Sequence, residues 1–208
     1  MGIHLVSNGK LSLKDFAEIA SKVDVFVDYF HIREKQKTAF ELYEGIQWLL
    51  DAGIAKKKII INDRVDVAVA LGVSGVQLAH HSLQVKVVRS TFPNLTIGCS
   101  THSLPELQKG EKGGADYAFF GHIFHSSSKL GLEPRGCKLL EEFSKNISLP
   151  IIAIGGITPE NTKTVLNHGA SGIAVISGIL DAKDPHIAAE RYSQVLTKWK
   201  EEQHETTL

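Results

Sequence analysis

Phe120-Gly121-His122-Ile123-Phe124-His125-Ser126-Ser127-Ser128-Lys129 runs an apolar strand straight into a histidine, a hydroxyl cluster and a lysine. Two later stretches, Ile154-Gly155-Gly156-Ile157-Thr158 and Val175-Ile176-Ser177-Gly178, close further apolar strands on glycine. Outward from these points, short runs rich in β-branched and aromatic residues alternate with longer segments of helical period. The runs fall at 3 to 7, 25 to 33, 58 to 62, 75 to 78, 96 to 100, 117 to 121, 150 to 155 and 172 to 177. Eight such runs with helical connections predict an α/β fold, a single-domain (β/α)8 TIM barrel. At 208 residues the chain lies near the lower end of the ~200 to 400 residue range of this fold, which leaves little room for inserted domains.

Local signals place the helices in the same register. Ser12 and Asp15 cap a segment whose apolar positions are Leu13, Phe16, Ala17, Ile19 and Ala20. Thr158-Pro159 and Asp184-Pro185 each set a capping side chain before a proline at the first helical position, where its missing N–H is harmless. Gly53 and Gly169 close helices ending near Ala52 and His168. The polar segment 201–208 reads as a flexible tail.

Composition narrows the function classes. Lys plus Arg and Asp plus Glu balance at 23 each, so no global field draws the chain to nucleic acid or an anionic membrane. Cys99 and Cys137, the two cysteines, form no Cys-x-x-Cys pair, which argues for a reducing compartment and against a disulfide or zinc framework. The first residues lack a basic segment followed by a long apolar run, and no apolar run approaches the ~20 residues of a membrane span. A cytoplasmic protein acting on a small molecule is expected, with apolar outer helices leaving room for a homo-oligomer.

A parallel barrel gathers its chemistry at the carboxyl ends of its strands. There the chain offers Arg33 and Lys35, Asn62 and Asp63, Gln77 and His80, Ser100 and His102, His122 with Ser126 to Lys129, the Gly155-Gly156 turn, and Ser177 with Gly178. Glycine turns leading into helices present backbone N–H groups to an anion, and barrels commonly hold phosphate after strands seven and eight. Either turn alone reads equally well as a tight connection; the two together favour phosphate. Arg33 and Lys35, two residues apart, face one side of an extended segment and suit a second anionic group. Imidazole, with an ordinary pKa near ~6.5, accepts and returns a proton at cellular pH, which makes His122 the first choice of base. By spacing alone His122 reads equally as a packed core residue; its place just past a strand end favours proton transfer. His31 reads as packing inside the barrel.

Taken in order, these motifs resemble the thiamin phosphate synthase and TenI-like barrels of thiamin biosynthesis. The likeness runs from His31-Ile32-Arg33-Glu34-Lys35 through Asn62-Asp63, Gly98-x-Ser100-x-His102, Gly121 to Lys129 and Ala153-Ile154-Gly155-Gly156-Ile157 to Val175-Ile176-Ser177. His122-Ile123-Phe124 and Gly131-Leu132-Glu133 leading to Arg135-Gly136 resemble the tautomerase branch of that family. The synthase pattern has magnesium carboxylates and a proline after the strand-six glycine. Here Asp63 matches one such carboxylate, Ser82 stands at the acidic position after strand four, and His122 replaces the proline.

The resemblance implies an isomerase that converts 2-(2-carboxy-4-methyl-5-ylidene-dihydrothiazolyl)ethyl phosphate to the aromatic 2-(2-carboxy-4-methylthiazol-5-yl)ethyl phosphate without cofactor or metal. It implies His122 as base and Lys35 as proton donor, with return of the same proton by His122 as the competing route. Arg33, Ser126, Ser127, Ser128 and Lys129 are implied to hold the carboxylate or ring, and Gly155, Gly156, Ile176, Ser177 and Gly178 the phosphate. Gly131 and Gly136 make the segment after Lys129 either a lid over the substrate or a static turn. A thiamin phosphate synthase, a thiazole-phosphate-binding regulator without turnover, and a zinc enzyme built on His80, His81, His102 or His122 are the alternatives, zinc being disfavoured by the absence of ligand spacing.

Overall fold

Strands and helices alternate along the computed structural model, which describes residues 2–126 and 131–206. The strands are β1 (Ile3–Val6), β2 (Tyr29–Ile32), β3 (Ile59–Asn62), β4 (Gly75–Leu78), β5 (Thr96–Thr101), β6 (Tyr117–Gly121), β7 (Ile151–Ile154) and β8 (Gly172–Val175). They pair in parallel in chain order, and β8 returns to β1 through the register Ile3 with Ile173 and Leu5 with Val175. The helices are α1 (Leu13–Val23), α2 (Ala39–Asp51), α3 (Val65–Leu71), α4 (Val85–Thr91), α5 (Leu104–Gly113), α6 (Gly136–Lys145), α7 (Pro159–Asn167), α8 (Ser177–Leu180) and α9 (Pro185–Thr206). The expected TIM barrel is therefore the observed one.

Strand alternation divides the interior into two layers. Outward-facing residues such as Phe30, Ile61 and Phe120 pack under the helices against Phe16, Leu42, Ile46 and Leu140 and form the main core. Inward-facing Val6, Tyr117, Phe119, Ile152 and Ala174 form a smaller cluster inside the barrel. That inner layer also holds His4, His31 and Gln77, all buried, where branched aliphatic residues are the rule.

The helix caps form as expected. Ser12 accepts from the Asp15 N–H at 3.0 Å, and Asp184 Oδ1 accepts from the N–H groups of His186 and Ile187 at 3.0 and 3.2 Å. Gly53 and Gly169 adopt φ of 91° and 90°, the left-handed geometry that ends a helix cheaply only at glycine. Two boundaries differ from expectation. The apolar run 25–33 is a strand only from Tyr29, because Val25 and Phe26 lie in the turn that leaves α1 and Asp28 locks the strand start. Its N–H donates to the Ile3 carbonyl at 2.9 Å and its Oδ2 accepts from the Ile3 N–H at 2.8 Å. The polar segment from residue 201 is helical through Thr206 as the end of α9. No helix among the described residues is long and apolar enough to cross a membrane.

Candidate active site

The carboxyl ends of the strands enclose a cavity of about 380 Å³, within the range of small-molecule sites. Arg33 and Lys35 line it from the β2 end, His122 and Ser126 from the β6 end, Gly155 and Gly156 from β7, and Ile176, Ser177 and Gly178 from β8. Each of these expected site residues thus shares one space. Ser127, Ser128 and Lys129 lie outside the described residues. Asn8 and Lys10 also line the cavity. They are absent from the expected set, although Asn8-Gly9-Lys10 follows β1 just as the other site segments follow their strands. Asn8 Oδ1 accepts from the N–H groups of Lys10 and Leu11 at 2.9 and 3.0 Å, which turns this loop over the barrel mouth.

His122 follows the last residue of β6 and is only 8 % exposed. Its Nε2 lies 3.2 Å from the Leu132 carbonyl oxygen. A carbonyl only accepts, so the neutral ring carries its proton on Nε2 and keeps a lone pair on Nδ1. The same segment is anchored by its backbone: the Arg135 N–H donates to the His122 carbonyl at 2.9 Å, and the Ile123 N–H to the Ile154 carbonyl at 3.0 Å. The tautomer is set by the loop rather than by a carboxylate.

The glycine pair at the end of β7 has a packing role as well as an exposed backbone. Gly155 has φ of 99°, and a Cβ there would stand 2.6 Å from the His122 Cβ; at Gly156, with φ of 68°, it would stand 2.4 Å from the His125 carbonyl oxygen. Both residues let the β6 loop cross directly over β7. Ser177 and Gly178, at the start of α8, line the same rim, and their N–H groups have no intrahelical acceptor. Gly155→Ala is expected to cost about 1–3 kcal/mol through the strained φ and to push the imidazole out of place. A denaturant titration measures the first effect, and a larger loss of turnover than of stability the second.

The charge of the cavity is one-sided. Its lining carries the cations Lys10, Arg33 and Lys35 against the single described carboxylate Asp181 beside α8. Such a lining favours an anionic ligand. His31 is buried at 1 % exposure, as its expected packing role requires, and its Nε2 meets His4 Nδ1 at 2.8 Å. Burial pushes His4 down to about 3, helped by the positive N-terminus, and pushes His31 well below the ordinary histidine value, helped by His4. Both rings are therefore neutral under the cavity floor. Burial raises the Cys99 thiol to about 12, so it is an inert packing group.

A magnesium site of the synthase type needs hard oxygen ligands, usually one or two carboxylates with substrate phosphates. Asp63, held at φ 68° with its N–H on the Gln77 carbonyl, does not line the cavity, and its Oδ2 lies 3.7 Å from His81 Nε2. Ser82 spends its hydroxyl accepting from the Ala79 N–H at 2.8 Å. Among the described residues no three His, Cys, Asp or Glu side chains gather as a metal site. The residues present do not fit a carboxylate-held magnesium.

The comparisons with known proteins agree with the barrel. The thiamine monophosphate synthase family model, TMP-TENI, matches residues 3–179. The thiamine-phosphate synthase of Chlorobium phaeovibrioides is 47 % identical over 133 residues, 63 % of this chain and 64 % of that protein. The matched stretch is thus slightly under two thirds of that relative's length. The thiamine-phosphate synthase of Chlorobium phaeobacteroides is 37 % identical over 175 residues, 81 % of this chain and 84 % of that protein. The solved thiamine phosphate pyrophosphorylase from Pyrococcus furiosus superposes with a TM-score of 0.80 at 28 % identity, covering 95 % of this chain and 96 % of the other. These relatives carry the name of the synthase, the alternative reading of the sequence, and none of them is called an isomerase. With a family match across most of its length and a shared barrel, the chain belongs to the thiamine monophosphate synthase (TMP-TENI) family.

Proposed function

We propose that the chain is a thiazole tautomerase within this family, aromatising the carboxylated dihydrothiazole ethyl phosphate by proton transfer. The observation that carries the reading is His122: an imidazole in the wall of an anion-favouring cavity, with Nδ1 free to accept a proton because Nε2 faces the Leu132 carbonyl. The C2–H bond of the substrate is weakened by the adjacent carboxylate-bearing conjugated system. His122 Nδ1 takes that proton as the electron pair forms C2=N3, the N3=C4 pair moves to C4=C5, and the exocyclic double bond delivers its pair to the exocyclic carbon. A proton arriving there completes the isomerisation with no net change in atoms or electrons. Lys35, at the cavity edge, is the candidate donor, and protonated His122 is the competing one.

The phosphate sits on the backbone N–H groups of Gly155, Gly156, Ser177 and Gly178, alongside Ile176. The carboxylate turns to Arg33, and Ser126, Ser127, Ser128 and Lys129 are assigned to the ring and carboxylate. Two fixed anionic groups orient the C–H bond toward the imidazole, so binding remote from the reacting carbon contributes to rate. The names of the relatives favour a second reading, thiamin phosphate synthesis by magnesium-dependent coupling of a pyrimidine diphosphate with a thiazole phosphate. Side-by-side assays separate the two. Aromatisation in the presence of a metal chelator supports the tautomerase; magnesium-dependent formation of thiamin phosphate, with the dihydrothiazole left unchanged, supports the synthase.

A further inference from the structure

Ser7 and Glu34 take no part in the reaction outlined above, yet they join β1 to the cationic wall. Ser7 is 1 % exposed at the end of β1. Its N–H donates to the His31 carbonyl at 2.9 Å, its Oγ accepts from the Arg33 N–H at 2.8 Å, and its hydroxyl donates to Glu34 Oε1 at 2.7 Å. Arg33 and Lys35 line the cavity, whereas Ser7 and Glu34 do not. One hydroxyl therefore holds the backbone of the first cation and the carboxylate that lies between the two cations in sequence.

We propose that Ser7 and Glu34 are positioning residues that fix Arg33 and Lys35 as a paired receptor for the carboxylate end of the ligand. Long cationic side chains lose rotamer freedom on binding, and like charges close together repel. Holding the Arg33 N–H and the Glu34 side chain fixes how this segment leaves β2, and so sets the starting direction of both cations before the ligand arrives. Glu34 lies outside the cavity lining, where it does not compete with an anionic ligand. The charge-assisted bond from Ser7 keeps that carboxylate turned away.

This inference rests on the reading that Arg33 meets the carboxylate and on the competing route of proton return by His122, which leaves Lys35 to meet the carboxylate beside Arg33. Calorimetric titration with two ligands tests it: 2-(2-carboxy-4-methylthiazol-5-yl)ethyl phosphate and its analogue lacking the carboxylate. Ser7→Ala and Glu34→Ala are each expected to weaken the carboxylated ligand roughly tenfold, the scale of one charge-assisted hydrogen bond, and to leave the analogue within about twofold. Glu34→Gln is expected to fall between wild type and Glu34→Ala. Equal losses for both ligands, or no loss for either, overturn the assignment and leave Ser7 a structural residue. Arg33→Ala and Lys35→Ala serve as the check on the premise. If they fail to discriminate the ligands, the carboxylate does not bind at this wall and the assignment falls with it; if they discriminate while the Ser7 and Glu34 variants do not, only the positioning role fails. Should Ser7→Ala not fold, the partly exposed Glu34 variants decide the matter.

Discussion

Replacing His122 with alanine is expected to lower the aromatisation rate by about 10²–10⁴-fold, the usual contribution of a positioned general base. Affinity for the aromatic product is expected to stay within a few fold, because the glycine turns proposed for the phosphate and Arg33 proposed for the carboxylate belong to other strands. The site geometry explains the size of the effect. His122 is held by the Leu132 carbonyl at Nε2 and by the backbone bonds of His122 and Ile123 to Arg135 and Ile154, which fix the ring in the cavity wall. His31, another imidazole on the lining, is occupied by His4 at 2.8 Å. Turnover unchanged in the variant, with product binding intact, removes His122 as the base while leaving the enzyme class standing.

Acid is expected to unfold this barrel earlier than its exposed carboxylates alone require. His4 and His31 are neutral in the fold, whereas in the unfolded chain both titrate near the ordinary ~6.5. Below that value the unfolded state binds protons that the folded state refuses, so stability falls as pH falls. His4 loses stability from about 6.5 down to about 3, where the folded state also accepts its proton. At the limiting slope each histidine costs about 1.4 kcal/mol per pH unit, and His4 over its full window about 4–5 kcal/mol, a large part of the ~5–15 kcal/mol that holds a typical domain together. The acidic groups held low, Glu41, Asp66, Glu141 and Glu160, stay ionised between pH 6.5 and 5 and do not contribute there. Urea midpoints measured across that interval are expected to drop in the wild type and to drop less in His4→Phe, each compared with its own value at pH 7.5. A slope that survives His4→Phe and His31→Leu alike places the acid sensitivity elsewhere.

The barrel was legible because each strand announces itself twice, by an apolar run and by the polar or glycine residues that follow it. The caps at Ser12 and Asp184 mark helix starts through side-chain chemistry that acts within four residues, which is why they survive in the fold. The start of β2 was not legible. Val25, Phe26 and Val27 look like strand, and what stops them from being one is Asp28 bonding across to Ile3, a contact between residues far apart in the chain. The same limit hid the inner layer of the barrel. His4 and His31 lie in different strands 27 residues apart, and only closure of β1 against β2 brings their rings together. At the rim, convergence of Arg33, His122 and the two glycine turns followed from barrel topology alone. That Gly155 makes room for the His122 side chain depends on the crossing of two loops, which residue spacing does not encode.

On the proposed function, this cavity moves a proton between two carbons of a carboxylated dihydrothiazole phosphate without a metal. The most direct measurement is incubation of that substrate with the wild-type protein in D₂O and excess chelator, followed by proton NMR of the product. Aromatic carboxythiazole phosphate is expected to form well above the uncatalysed rate, with deuterium on the former ylidene carbon to the extent that the donor exchanges with solvent. Substrate recovered at the uncatalysed rate, from protein that still binds the aromatic product, contradicts the proposed function.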